Sequence, residues 1–415
     1  MAKHVLILGG GFAGLAAARA LQGTPCTVTL VDHNNYHLFQ PLLYQVATGE
    51  LPTEAIATPL RPLLAPTGAH FRLGRVLAID LAARTVQLAE NATLSYDYLI
   101  VALGSVTNFF GHADLALHAF DLKGVEVAEQ ARSRILYAFE RAMSCTAAAE
   151  RSAWLTFVVA GGGATGVEFA AALLELIRIL IRRRYPDLQK TPPRVVLIQG
   201  GSALLPGFAP SLQAAAAAKI RALHGDILFD THVTAYDGQT VQSPSVAPLP
   251  ARTLVWTAGV RAHPLTAALP GADPHSGRVV TDARLRVSDH PEVFVVGDGL
   301  ASRHQPPWPQ VAPLAIESGR YAATVIRAAL LQRPPPPPFI YRDPGSMVVL
   351  GRYDAVCQID RWHIRWRGPG AWLLWIGLHL YRIMGTRNRV LTLIDWAADY
   401  GSHGNAIEII RKGQP

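Results

Sequence analysis

The chain has 415 residues, 50% of them apolar and 16% charged, with 35 glycines, 30 prolines and three cysteines. That is enough chain for two or three domains with sizeable cores, and three widely spaced cysteines argue against a disulfide framework. Lys and Arg outnumber Asp and Glu by 38 to 30, a net charge of +8 that suits acidic ligands or an anionic membrane; no nucleic-acid motif accompanies it, so no nucleic-acid partner is expected.

Met1 to His4 are too few to carry a signal peptide, so the mature chain is expected to begin here. An apolar run from Val5 then enters Gly9-Gly10-Gly11-Phe12-Ala13-Gly14, followed by an alanine-rich helical stretch from Leu15 to Leu21. Glycines at 9, 11 and 14 fit G-x-G-x-x-G: one for the tight turn, one for backbone approach to a pyrophosphate, one for helix packing on the strand. The helix N-terminus adds partial positive charge. A second strand, Thr27 to Val31, ends in Asp32, at the spacing where a carboxylate accepts from a ribose hydroxyl. The aromatic, amide-rich loop Asn35 to Gly49, which includes Gln45, suggests packing near a flat ligand. The strand from Tyr96 runs into Gly104-Ser105, a close-approach glycine.

The fingerprint returns at Phe157 to Glu168, with glycines at 161, 163 and 166 and a helical pattern from Phe169 to Arg184. The next strand, Arg194 to Ile198, ends in Gln199 in place of an acid. A carboxylate there would repel the 2′-phosphate of NADP, so the amide predicts relaxed discrimination between NADH and NADPH. Leu254 to Gly259 and Val293 to Gly299 are further strands running into glycine; the second carries Gly297 and Asp298, an acid that can accept from a sugar or ribitol hydroxyl. A proline-rich stretch, 301–310, precedes a helix from Ala315 to Leu331, and Pro334 to Pro338 form a stiff connector. Beyond it, Trp372 to Arg389 read as a short Trp-rich apolar helix backed by Arg382, Arg387 and Arg389, suited to a membrane interface with aromatics at headgroup depth.

These elements predict an α/β fold: two Rossmann-like dinucleotide-binding domains, the second inserted in the first, plus a C-terminal membrane-associating region. The expected boundaries are 1–118 and 275–333 for the first domain, 119–274 for the second, and 334–415 for a C-terminal region that meets membrane or a second copy. Cys26, Cys145 and Cys357 have no zinc, iron–sulfur or C-x-x-C spacing, so no metal is expected, and a reducing compartment fits. His33, His37, His304 and His379 are scattered and read as structural.

The two fingerprints, the Asn35 to Gly49 block, Val296-Gly297-Asp298 and the Trp-rich end together resemble the type II NADH:quinone oxidoreductases, over nearly the whole length. The resemblance implies hydride transfer from NADH or NADPH to FAD and two-electron transfer to a membrane quinone, without proton pumping. The enzyme would be peripheral, on the cytoplasmic face of the cell membrane against an anionic surface, and capable of forming a homodimer. Gly9, Gly11, Phe12, Ala13, Gly14, Asp32, Gln45, Gly104, Gly297, Asp298 and Ala315 become FAD contacts. Gly161, Gly163, Gly166, Gln199 and Gly259 become the nicotinamide side, with Glu168 the acid beside the nicotinamide ring. Bottom-up, Glu168 also reads as an acid in the first helical turn, favourable with the dipole. The family's two glutamines on the helix after Gly-Asp are absent: the stretch here is Ala312-Pro313-Leu314-Ala315-Ile316-Glu317, leaving Glu317 as the acceptor-side proton carrier. Two other readings remain: a sulfide:quinone oxidoreductase working through Cys145 and Cys357, and a flavoprotein sensor or reductase with a non-quinone acceptor.

Overall fold

The computed structural model describes residues 2–302, 307–402 and 407–411; His304 and part of the proline-rich stretch 301–310 lie outside the described residues. The chain divides into two compact units. The first comprises 1–38, 57–106 and 260–344; the second comprises 39–56, 107–259 and 345–415. The divisions thus fall at 106/107, 259/260 and 344/345, and the segment 39–56 lies with the second unit.

In the first unit a six-stranded sheet has the order Arg286–Val287, His290–Val295, Tyr98–Val101, Lys3–Leu8, Cys26–Asp32, His70–Leu73. Only its outermost pair, at Arg286–Val287, is antiparallel. The N-terminal strand is central: Val5 pairs with Val28 on one side and with Tyr98 on the other. Its apolar run, Val5-Leu6-Ile7-Leu8, is fully buried, as a parallel strand covered on both faces must be. Helices Phe12–Ala20 and Ala312–Leu330 belong to this unit. They cross so closely that a Cβ on Gly319 would overlap the backbone of Ala13.

The second unit repeats the plan with a five-stranded parallel sheet ordered Phe120–Asp121, Thr253–Trp256, Thr156–Ala160, Arg194–Ile198, Asp226–Leu228. Helix Val125–Ser144, helix Ala164–Arg183 and helix Pro210–Ala222 accompany it. The last third of this unit is an antiparallel sheet, Ser346–Val349, Ala355–Ile359 and Ile364–Arg367, then helices Pro369–Arg382 and Thr386–Ser402. Arg352 anchors the second helix through Asp399 at 2.8 Å.

The C-terminal segment corrects the sequence reading in one respect. It folds as two helices, and the tryptophans expected at headgroup depth point inward: Trp375 is fully buried and Trp372 nearly so, as is Trp396 beyond them. The exposed positions are Leu373, Leu374, Leu378, Tyr381, Val390, Leu393 and Ile394. The indole rings have a core to fill, which leaves the aliphatics and Tyr381 outside. Among the described residues no helix is long and apolar enough to cross a membrane.

Candidate functional sites in the two units

The two glycine turns are built alike. Gly9 has φ +106° and Gly161 φ +111°, the left-handed region that favours glycine. A Cβ on Gly9 would collide with the Ala102 carbonyl oxygen, and one on Gly161 would lie 2.6 Å from the Thr257 carbonyl carbon. Gly14 and Gly166 each abut the carbonyl oxygen of the turn's first glycine, Gly9 and Gly161, too closely for any side chain. At Gly11 and Gly163 the reverse holds: a Cβ would meet nothing within 4 Å. Each is the residue before a helix, Phe12–Ala20 or Ala164–Arg183. Open space in front of helix-terminal N–H groups is what a pyrophosphate requires, so both turns fit a dinucleotide.

Asp32 closes the first turn: Gly10 N–H donates to its Oδ2 at 2.6 Å and Asn34 N–H to its Oδ1 at 2.7 Å. In the second, Gly162 N–H donates to Gln199 Oε1 at 2.8 Å. The acid and the amide therefore do the same structural work and differ in what the other half of the side chain presents.

In the first unit Ser105 Oγ–H donates to Asp298 Oδ2 at 2.5 Å. Gly297, at φ +66°, packs against Ala13 and Ala315 and donates its N–H to Ser318 Oγ at 3.0 Å. Gly297, Asp298, Ala315, Ala13 and Phe12 are thus brought together at the helix crossing, with the Phe12 ring edge-on to His37 at 5.0 Å. Gly104, at φ +70°, has open space before it and accepts from His263 N–H at 3.1 Å. His37 donates from Nδ1 to Gly10 O at 3.0 Å, and burial pushes its pKa down to about 4, so it stays neutral. Glu317 interacts with the backbone of Arg342 and with Arg320, and burial raises its pKa.

In the second unit Gly259 accepts from Asn108 N–H at 3.0 Å. Glu168 is the fifth residue of its helix and lies past the first turn, where no acid occurs; the dipole reading does not apply to it. It is buried, accepts from Val349 N–H at 3.2 Å, and its pKa is pushed by burial up to about 8. The Trp375 indole N–H lies near enough to favour the charged form but makes no hydrogen bond of good geometry. Gln45 is also buried: its Oε1 accepts from the Trp396 indole at 2.9 Å and its Nε2 donates to Tyr44 Oη at 3.3 Å. His379 stacks on Trp375 at 4.0 Å and is held neutral, near pKa 4, by burial. Val349 and Trp396, and the nearness of Trp375 to Glu168, escaped the sequence reading because they reach Glu168 and Gln45 from far along the chain.

All three cysteines are free thiols. Among the described residues no cluster of His, Cys, Asp or Glu could hold a metal.

Two successive dinucleotide-fitting turns on parallel sheets define the class, and the pyridine nucleotide-disulphide oxidoreductase family model matches residues 3–319. NdhA, a type II NADH:quinone oxidoreductase of Mycobacterium tuberculosis, is 38% identical over 96% of this chain and 87% of its own. The related Ndh of the same organism is 36% identical over 96% of this chain and 88% of its own. The solved structure of NDH2 from Plasmodium falciparum in complex with NADH shares the fold, with a TM-score of 0.88 over 99% of this chain and 100% of that one, at 19% identity. Within the wider family, the chain belongs to the type II NADH:quinone oxidoreductases.

Proposed function

We propose that the chain oxidises NADH through bound FAD and passes two electrons to a membrane quinone. The observation that carries this is the duplicated turn, closed at Gly9, Gly14, Gly161 and Gly166 and open at Gly11 and Gly163. Bound FAD supplies the hydride-accepting and two-electron-donating chemistry. Everything else falls to the protein: holding, orienting and supplying protons.

In this reading Gly9, Gly11, Phe12, Ala13 and Gly14 hold the FAD pyrophosphate, while Asp32 stiffens the turn and offers its carboxylate to the ribose. Asp298, oriented by Ser105, accepts from the ribitol chain, with Gly104, Gly297 and Ala315 providing close backbone approach. Gly161, Gly163, Gly166, Gln199 and Gly259 hold the nicotinamide nucleotide. Gln45, locked by Trp396, is a rigid wall. Glu168, the acid on the nicotinamide side, keeps a proton on its carboxyl up to about pH 8 and gives it up during quinone reduction. Glu317, its pKa also raised by burial, is the acceptor-side carboxylate, in the first unit. The domain roles follow: FAD with 1–118 and 275–333, nucleotide with 119–274, membrane with 334–415.

The exposed apolar residues of the two C-terminal helices, with Arg387 and Arg389 also exposed, support peripheral attachment to anionic lipid at the cytoplasmic face. Self-association into a homodimer would use the same region. Anaerobic mixing tests the reaction: NADH should bleach the flavin and a quinone should restore it. Failure to bleach ends the dehydrogenase reading; bleaching that no quinone reverses ends the second half-reaction.

A further inference from the structure

A cavity of about 400 Å³ opens beside the second glycine turn, lined by Phe110, Gln199, Gly200, His232, Val233 and Trp256 among others. It lies wholly within the second unit. Gln199 enters it from the end of strand Arg194–Ile198, where the adenosine ribose of a nucleotide is expected. Because Gly162 N–H must meet an acceptor, the side-chain oxygen of Gln199 is committed to it at 2.8 Å, and this fixes which way the amide faces. The remaining half is the Nε2 donor, 3.4 Å from where a Cβ on Gly201 would stand. Among the described residues Nε2 has no hydrogen-bond partner in the protein. It cannot accept from a ribose 2′-hydroxyl; it can donate to a phosphate oxygen.

A second donor stands next to it. The exposed His232 ring lies against Gly200, its Nδ1 only 2.8 Å from where a Cβ on that residue would be, so only glycine at 200 permits this placement. Three backbone hydrogen bonds hold strand Asp226–Leu228 and the His232 loop after it to the Gln199 loop: Gln199 N–H to Leu228 O at 2.8 Å, Thr231 N–H to Gln199 O at 3.1 Å, and Asp230 N–H to Gly201 O at 3.2 Å. One ring nitrogen of His232 carries a hydrogen in either tautomer, and both do when it is protonated. No acid lines the cavity; the nearest in sequence, Asp230, is exposed.

We propose that Gln199 Nε2 and His232 form a donor pair for the 2′-phosphate of NADPH, so that this chain accepts both nicotinamide nucleotides and His232 sets how well it takes the phosphorylated one. The proposal rests on the second turn being the nicotinamide site. Charge-assisted hydrogen bonds of this kind change affinity by about tenfold or more.

The test is kcat/KM for NADPH and for NADH, with a soluble quinone analogue, in wild type, His232→Ala and Gln199→Glu. Binding of adenosine 2′,5′-bisphosphate and of adenosine 5′-monophosphate is measured by calorimetry on the same proteins. Wild type should use NADPH and bind the bisphosphate more tightly. His232→Ala should lower NADPH efficiency about tenfold, through KM, and weaken the bisphosphate alike, with NADH changed less than about twofold. Gln199→Glu should lower the NADPH-to-NADH ratio of kcat/KM by about tenfold or more. An unchanged NADPH-to-NADH ratio in His232→Ala, or a wild type that NADH reduces and NADPH does not, overturns the donor pair while the dehydrogenase reading stands. A flavin that neither nucleotide reduces overturns both.

Discussion

The Glu168 carboxylate and the Val349 amide, 181 residues apart in the chain, are joined by a 3.2 Å hydrogen bond inside the second unit. Among the described residues it is the one backbone donor given to an acid otherwise taken out of water. A single neutral donor does not offset full burial, and the pKa stays near 8, well above the ordinary 4.5.

A pH dependence follows. Between about pH 4.5 and 8 the folded protein holds this proton and the unfolded chain does not, so stability declines as pH rises through that window and levels off above it. The Glu168 contribution is on the order of a few kcal/mol. Glu168→Gln should flatten this part of the pH–stability curve and be the more stable of the two at pH 9, read by denaturant unfolding. In quinone reduction the same variant should lose about 100-fold in kcat or more while NADH still bleaches the flavin. Full activity in Glu168→Gln removes its proton role.

The two open glycines should separate the cofactor from the co-substrate. Gly11→Val fills the first cradle and should yield folded protein with little flavin. Gly163→Val should keep flavin content and raise KM for NADH by about tenfold or more. Flavin absorbance per chain and steady-state kinetics check this. Gly166→Val, whose side chain would strike the Gly161 carbonyl oxygen, should instead unfold the second unit.

Cys357 is buried within strand Ala355–Ile359 and Cys145 follows helix Val125–Ser144. Burial raises the Cys357 pKa, which disfavours a thiolate. The double variant Cys145→Ser, Cys357→Ser should therefore keep NADH:quinone activity within about twofold. Sulfide oxidation by the parent, lost in the double variant, would establish the sulfide-oxidising alternative instead.

Leu373 and Ile394, 62% and 56% exposed on the two C-terminal helices, are the places to test attachment. Leu373→Asp with Ile394→Asp should abolish sedimentation with anionic vesicles and cut activity toward a membrane-embedded quinone, leaving a water-soluble acceptor unaffected. Retained vesicle binding places the membrane contact elsewhere.

Sequence alone determined the glycine turns, Asp32, the inserted second fingerprint and the strand endings, because each is a local rule: a φ only glycine favours, a helix N-terminus, an apolar run buried on both faces. It also exposed Gln199 as the departure on the nucleotide side. Tertiary structure decided which atoms of those residues remain available. Gln199 offers a donor because Gly162 takes its oxygen, and His232 joins it only because the loop after the neighbouring parallel strand Asp226–Leu228 is hydrogen-bonded to it. Glu168 owes its proton to burial, which outweighs the opposing hydrogen bond from Val349, and Trp375 and Trp396 face inward because the core around Glu168 and Gln45 needed filling. Such partners are chosen by packing between distant segments, and no local spacing encodes that choice.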